Sequence, residues 1–159
     1  MRIADMHVHS NFSTDGISTM EKQCQEAVNR GLSIICFTDH VDFNSAEYNM
    51  GKVKDNRKQN FNVDEYLLEI ERMRRLFPEL EILSGVEFSE PHLFAKELMD
   101  YSRKPFDYIL ASIHHCNNGC FPGAMNLAEK QAVKEYYSLM IDSLEKCAFQ
   151  GIAHIDFPR

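Results

Sequence analysis

No stretch of this sequence approaches the roughly 20 consecutive apolar residues that a membrane-spanning helix requires. The opening residues MRIADMHV also lack the apolar segment and cleavage site of a secretory signal peptide. There is no internal repeat, low-complexity tract or composition shift that would mark a second domain. The sequence therefore predicts a single domain over residues 1–159, soluble and cytoplasmic, with no membrane partner.

The sequence also has no excess of basic residues, which number 17 against 24 acidic ones and give a formal net charge of −7. A nucleic-acid-binding surface normally carries a basic excess, because contacts to phosphates provide much of the affinity. We therefore expect no nucleic-acid partner. The five cysteines are odd in number and lie mostly in predicted helices and strands, which is typical of reduced thiols in the cytoplasm.

What the sequence does contain is a regular alternation of predicted strands and helices. Strands are predicted at 2–9, 32–37, 81–87, 106–113 and 151–156. Helices are predicted from the capping-box pattern Ser18-x-x-Glu21, from Asn62, at 92–103 and at 126–149. A polar segment at 41–62 predicts a long functional loop. The alternation predicts an α/β fold of parallel strands joined by right-handed crossovers, as an open sheet or a barrel.

Histidines and carboxylates occur where each predicted strand ends. His7 and His9 lie two residues apart, so their side chains share one face of the first strand. The later strand ends carry Asp39 with His40, Glu87, His114 with His115, and His154 with Asp156. The carboxyl ends of parallel strands meet at one edge, so these groups are expected to converge. Imidazoles with carboxylates suit zinc, iron or manganese, and their number indicates two or three ions.

Other candidates have weaker patterns. Adjacent strand residues face opposite ways, so only one of His114 and His115 is expected to be a ligand. His92 is predicted to be a solvated helix residue. Cys116 and Cys120 leave open a separate zinc-binding module at 114–120, although their spacing is looser than a true CxxC pair.

Together these motifs resemble those of the PHP (polymerase and histidinol phosphatase) family of metallohydrolases. They are His7-x-His9-Ser, Ser13-x-Asp15-Gly16, Thr38-Asp39-His40, Gly85-Val86-Glu87, Ala111-Ser112-Ile113-His114 and Ala153-His154-Ile155-Asp156. Within the family the sequence most resembles the monofunctional histidinol-phosphate phosphatases, through segments such as FDYILASIHH and AHIDFPR. The resemblance extends over essentially the whole chain.

The resemblance implies a distorted (β/α)7 TIM-like barrel that holds two to three divalent metal ions, Zn, Fe or Mn, at the carboxyl ends of its strands. The metal ligands that it implies are His7, His9, Asp15, His40, Glu87, His114 and His154. It implies that Glu87 bridges two metals as a catalytic carboxylate. It also implies that Arg159 is a second catalytic residue, near the substrate phosphate. Asp39 or Asp156 would then orient histidine ligands.

The implied activity is metal-dependent hydrolysis of a phosphate monoester, and the implied small-molecule partner is histidinol phosphate of histidine biosynthesis. Acidic residues of the polar loop, such as Asp42 or Glu47, would pair with the substrate amine. Two alternatives stay open. One is another PHP phosphoesterase that acts on nucleotides or DNA ends, and the other is an inactive metal-binding fragment.

The sequence ends directly after its fifth predicted strand. The resemblance implies a barrel that continues with further strands and a final Asp-x-His motif. We therefore expect the N-terminal portion of a PHP domain, an incomplete barrel of about five parallel strands. Open strand edges would be left exposed, and self-association through these edges would cover them.

Overall fold

The computed structural model describes residues 2–13, 15–43, 60–115 and 129–156. Five parallel strands form one sheet in the order β1-β2-β3-β4-β5. They are β1 (Ala4–Val8), β2 (Ile34–Val41), β3 (Glu81–Ser89), β4 (Tyr108–Ser112) and β5 (Gly151–Ile152). The strand order never reverses, as it would in a doubly wound sheet. The predicted α/β fold is confirmed, as an incomplete TIM-like barrel.

Within the described ranges, four helices connect these strands. They are α1 (Met20–Asn29), α2 (Val63–Leu76), α3 (Ala95–Ser102) and α4 (Glu129–Lys146). The side chain of Thr19 caps α1 by accepting from the amide of Lys22, so this helix begins one residue later than the capping-box pattern predicts. Asn62 caps α2 in the same way, as its position in the sequence predicts. No helix within the described ranges is long and apolar enough to cross a membrane.

The core lies between the sheet and its helices. Tyr66, Ile70 and Met73 of α2 are fully buried in one cluster with Phe37 of β2 and Ile82 of β3. Burying side chains of this size stabilises the fold by about 1.5–3 kcal/mol each. This packing fixes β2 and β3 in register over eight residue pairs, which places their carboxyl ends side by side.

Some sequence-based expectations differ from the structure, at the fifth strand and at His92 most clearly. The fifth strand was expected at 151–156 but comprises only Gly151–Ile152, and His154 just beyond it has a left-handed φ of 27°. His92 was expected on a solvated helix but lies before α3, half-buried, with its Nδ1 3.4 Å from the Ser143 hydroxyl of α4. Burial accordingly lowers the pKa of His92. Most of the predicted 41–62 loop, including Glu47, falls outside the described residues.

Candidate metal centre

Glu87 lies near the carboxyl end of β3, and its side chain is buried at the centre of a ring of histidines. Its Oε2 atom lies 3.2 Å from His7 Nε2, 3.0 Å from His9 Nε2 and 3.1 Å from His40 Nδ1. Its Oε1 atom lies 3.0 Å from His154 Nε2 and 3.5 Å from His114 Nε2. One carboxylate thus gathers histidines that follow or end β1, β2, β4 and β5.

Asp15 provides a second carboxylate at the edge of this cluster. Its Oδ2 atom lies 3.1 Å from His9 Nδ1 and 3.3 Å from His40 Nε2. His9 and His40 therefore each present one ring nitrogen to Glu87 and the other to Asp15. The loop that carries Asp15 folds tightly, because a Cβ atom on Gly16 would lie only 1.8 Å from the carbonyl oxygen of Ser10. Glycine is the residue that permits this approach.

The charges of the cluster are strongly coupled. Burial opposes ionisation of Glu87, but the imidazoles around it, His114 and His154 above all, hold its pKa far below the usual range. Burial also disfavours the charged form of His9, yet the Glu87 and Asp15 carboxylates raise its pKa to about 9. For His40 burial prevails, together with the charges of His9 and His114, and lowers its pKa to about 4. Neighbouring imidazoles thus differ in protonation at neutral pH.

The donor set fits divalent metal ions. Three groups each bring ligand atoms within 4.8 Å of one another: His7 with His9 and Glu87, His9 with Asp15 and His40, and His40 with Glu87 and His114. Two ligand atoms on one tetrahedral zinc ion lie roughly 3.3–3.6 Å apart, which is close to the separations found here. Glu87 Oε2 is buried and has no hydrogen-bond partner among the described residues, although three imidazole nitrogens surround it. A cation would satisfy this oxygen.

The two histidines that follow β4 and β5 are held by neighbouring side chains. Ser89 Oγ lies 3.0 Å from His114 Nδ1. The Tyr136 hydroxyl of α4 donates to the carbonyl oxygen of His154 over 2.9 Å. Such contacts on the far side of a ligand fix the ring position and the backbone that carries it.

The structure brings seven of the eight predicted site residues together, and Arg159 falls outside the described residues. His114 joins the cluster, whereas His115 is buried with its Nδ1 3.4 Å from Glu90. The two histidines thus lie against different carboxylates. Cys116 and Cys120 lie outside the described residues, so the zinc-module alternative stays untested.

Sequence reasoning missed several residues that support the cluster. Ser10 and Ser13 accompany the motifs, but no role followed from their positions. Both form hydrogen bonds to the buried Asp39 carboxylate, which was expected to orient a histidine ring. Glu90 was missed entirely, although a carboxylate three residues after Glu87 at the end of a predicted strand is a signal that could have been noticed.

A known protein family matches almost the whole chain. Residues 5–159 match the PHP domain. The chain belongs to the PHP domain family. This confirms the family that the motifs indicated, and the five-stranded sheet is its incomplete TIM-like barrel.

Individual PHP proteins resemble the chain over nearly its whole length. It is 27% identical to the histidinol-phosphatase of Lactococcus lactis subsp. lactis, over 99% of this chain and 58% of that protein. It is 28% identical to a probable histidinol-phosphatase of Thermotoga maritima, over 97% of this chain and 54% of that protein. The crystal structure of the Lactococcus lactis histidinol phosphate phosphatase, complexed with zinc, L-histidinol and phosphate, superposes with a TM-score of 0.84 at 25% identity. The chain spans 59% of that structure.

Proposed function

We propose that this chain carries the metal site of a phosphate monoester hydrolase of the histidinol-phosphatase type. The observation that carries the proposal is the convergence of five histidines and Asp15 around the buried Glu87 carboxylate. The relatives named histidinol-phosphatase, and the zinc, histidinol and phosphate in the related structure, support the substrate class.

The proposed metal ligands are two carboxylates and the five histidines around them. They are His7, His9, Asp15, His40, Glu87, His114 and His154, with Glu87 shared between ions as a catalytic carboxylate. Two to three divalent ions bound by these residues, of zinc, iron or manganese, would attract the phosphate and lower the pKa of a nearby water molecule. The neighbouring carboxylates raise the pKa of His9 to about 9 in the metal-free site. Because only a neutral imidazole binds a metal ion, His9 must lose a proton when the ion binds.

Two charged residues are proposed to bind the substrate itself. Asp42 directly follows β2, close in sequence to His40, and its carboxylate would pair with the ammonium group of histidinol phosphate. Arg159 stays a proposed phosphate-binding residue on the ground of the family resemblance alone. The arginine would offset negative charge that builds up on the phosphate oxygens.

The proposal is tested by hydrolysis of histidinol phosphate after zinc or manganese is added to the purified chain. Nucleoside monophosphates and a 3′-phosphorylated DNA end serve as competing substrates, because another PHP phosphoesterase would favour them. The matched control is the double variant His7→Ala His9→Ala. Turnover of histidinol phosphate that this variant lacks supports the proposal, and it would also support the predicted role in histidine biosynthesis.

A second candidate is metal binding without catalysis. The chain spans only about three-fifths of the Lactococcus lactis relative, so residues outside this match could be needed for turnover. This candidate predicts that the wild-type chain binds metal while its phosphatase activity equals that of the double histidine variant.

We also propose that the chain self-associates at the open ends of its sheet. In the part of the chain that the structure describes, β1 and β5 each pair with a single neighbour. On α4, the helix that precedes β5, Tyr137, Ile141 and Leu144 are exposed apolar residues at the spacing of one helical face. Light scattering during gel filtration should give a mass above that of one chain, and Ile141→Lys should reduce it.

A further inference from the structure

Asp39, near the end of β2, is a fully buried carboxylate that holds the loop following β1. Its Oδ1 atom accepts from the Ser10 amide at 2.7 Å, the Ser13 amide at 3.0 Å and the Ser13 hydroxyl at 2.8 Å. Its Oδ2 atom accepts from the Ser10 hydroxyl at 2.9 Å. Ser10 directly follows His9, so four hydrogen bonds fix the backbone on which that histidine is carried.

Ser13 extends this contact to the next ligand-bearing segment. Its hydroxyl donates to Asp39 and accepts from the amide of His40 over 2.8 Å. One side chain therefore joins the loop after β1 to the end of β2. The two histidines shared between Glu87 and Asp15 lie on these two segments.

Glu90 forms a similar contact between β3 and β4. It is fully buried just after β3, with a left-handed φ of 49° that is uncommon for a residue other than glycine. Its Oε1 atom accepts from the amide of His114 at 2.6 Å and from that of His115 at 2.9 Å. Its own amide donates to the carbonyl oxygen of Ser112 at the end of β4.

We infer that Asp39 and Glu90 are positioning residues for the metal centre, an inference that rests on the proposed metal-binding function. Each is a buried carboxylate at the end of one strand that binds the backbone amides of a ligand-bearing segment on the neighbouring strand. Each accepts at least two hydrogen bonds from backbone amides of the neighbouring segment, so each restricts the position of that backbone. Neither is a catalytic residue, because they act through His9, His40 and His114.

The structure supplies a matched control at the opposite end of the sheet. The Ser84 hydroxyl donates to Asp107 over 2.8 Å and accepts from the amide of that residue over 3.2 Å. Ser13 and Ser84 are both buried and both link a carboxylate to a backbone amide. Only Ser13 does so beside the metal centre, so Ser13→Ala and Ser84→Ala differ chiefly in location.

The test is titration of the full chain with Co²⁺, followed by its visible absorption spectrum, together with thermal unfolding of the metal-free protein. Ser13→Ala should weaken Co²⁺ binding by about 10- to 100-fold, the usual effect of removing a partner that orients metal ligands. It should also alter the absorption bands. Ser84→Ala should lower the melting temperature while binding Co²⁺ as tightly as the wild type does.

Conservative variants protect the test against simple misfolding. Asp39→Asn and Glu90→Gln keep an acceptor oxygen and should retain Co²⁺ affinity within a few-fold, whereas Glu90→Ala should lose affinity as Ser13→Ala does. Equal effects of Ser13→Ala and Ser84→Ala on affinity would overturn the inference. Tight Co²⁺ binding without hydrolysis would contradict the proposed activity alone, and a wild-type chain that binds no Co²⁺ would overturn both.

Discussion

The two ends of the sheet use the same hydrogen-bonding arrangement for different purposes. At the carboxyl ends, Asp39 accepts from the amide and the hydroxyl of Ser13. At the amino ends, Asp107 accepts from the amide and the hydroxyl of Ser84. The bonds match, but the surroundings differ: Asp39 is fully buried, whereas 43% of the Asp107 side chain is exposed.

This difference appears in the pKa values of the two carboxyls. Burial raises the pKa of Asp39 despite its hydrogen bonds to the serines. Burial of Asp107 is weaker, so the hydrogen bonds from Ser84 and the guanidinium of Arg74 at 2.6 Å lower its pKa. The ionised carboxylate of Asp107 thus stabilises the fold. The ionised carboxylate of Asp39 opposes folding, and its presence is explained by the histidine ligands that it positions. The carboxyl ends of the strands thus serve the proposed function, and the amino ends stabilise the fold.

The largest expected effect is on Zn²⁺ affinity, and it should appear at the carboxyl end of β3 but not at its amino end. Glu87→Gln removes the negative charge around which five histidines gather, so affinity for Zn²⁺ should fall by at least about 100-fold. Glu81→Gln, at the amino end of the same strand, removes only an exposed ion pair with Arg2. Its affinity should equal that of the wild type, and its stability should change by less than about 1 kcal/mol. Isothermal titration with Zn²⁺ measures the affinity of both variants. Similar losses of affinity in the two would contradict the distinction between the two ends of the strand.

A stability effect should appear at the amino ends. Asp107→Ala removes the acceptor of the Ser84 amide, the Ser84 hydroxyl and Arg74. The carboxyl is partly exposed, so the free energy of unfolding should fall by about 1–2 kcal/mol rather than more. Urea unfolding measures this change. Zn²⁺ affinity should be retained, and its loss would contradict a purely structural role.

The pH dependence of stability should report the same carboxyl. The folded-state pKa of Asp107 is lowered, so its contribution is present above the unfolded pKa of about 3.9 and is lost as the pH falls through the folded value. The difference in unfolding free energy between wild type and Asp107→Ala should therefore shrink as the pH falls from about 5 to about 2. A difference that stays constant over this range would show that ionisation of Asp107 is irrelevant to folding.

The smallest effect is expected at Asp39. The folded-state pKa of this carboxyl is raised, so its contribution to stability is lost as the pH rises through that value. Asp39→Asn removes the cost of burying the charge while it keeps the Oδ1 acceptor. The metal-free variant at pH 7 should therefore be as stable as the wild type or more stable, by up to about 1 kcal/mol. Urea unfolding measures this change, with Asp107→Asn as the comparison, since that variant should be destabilised. The pair tests whether the two substitutions change the free energy of unfolding in opposite directions.

Much of the fold followed from the sequence because its signals are local. The apolar run that predicted β2 and the periodic residues of α2 led to the right elements in the right order. The end of β5 was not predicted: His154 has a left-handed backbone there, and its carbonyl oxygen accepts from Tyr136, 18 residues away in the chain. His92 was placed wrongly because its partner Ser143 is 51 residues away in the chain.

The candidate site shows the same limit. Ligand types at strand ends identify the cluster, since the topology alone brings such residues together. Spacing could not show that Asp39 binds the loop after β1, because that contact depends on how the Ser10–Ser13 turn folds back. Glu90 was missed for a similar reason: its acceptor role becomes visible only when β3 and β4 are paired.

The most direct test of the site is the number of metal ions that the chain retains, measured by elemental analysis of purified wild-type protein after dialysis. The double variant His7→Ala His9→Ala serves as the control. Two or more ions per wild-type chain, with fewer in the variant, are expected if the histidines around Glu87 form a multi-metal centre. One ion or fewer in the wild type, or equal numbers in both proteins, would contradict it.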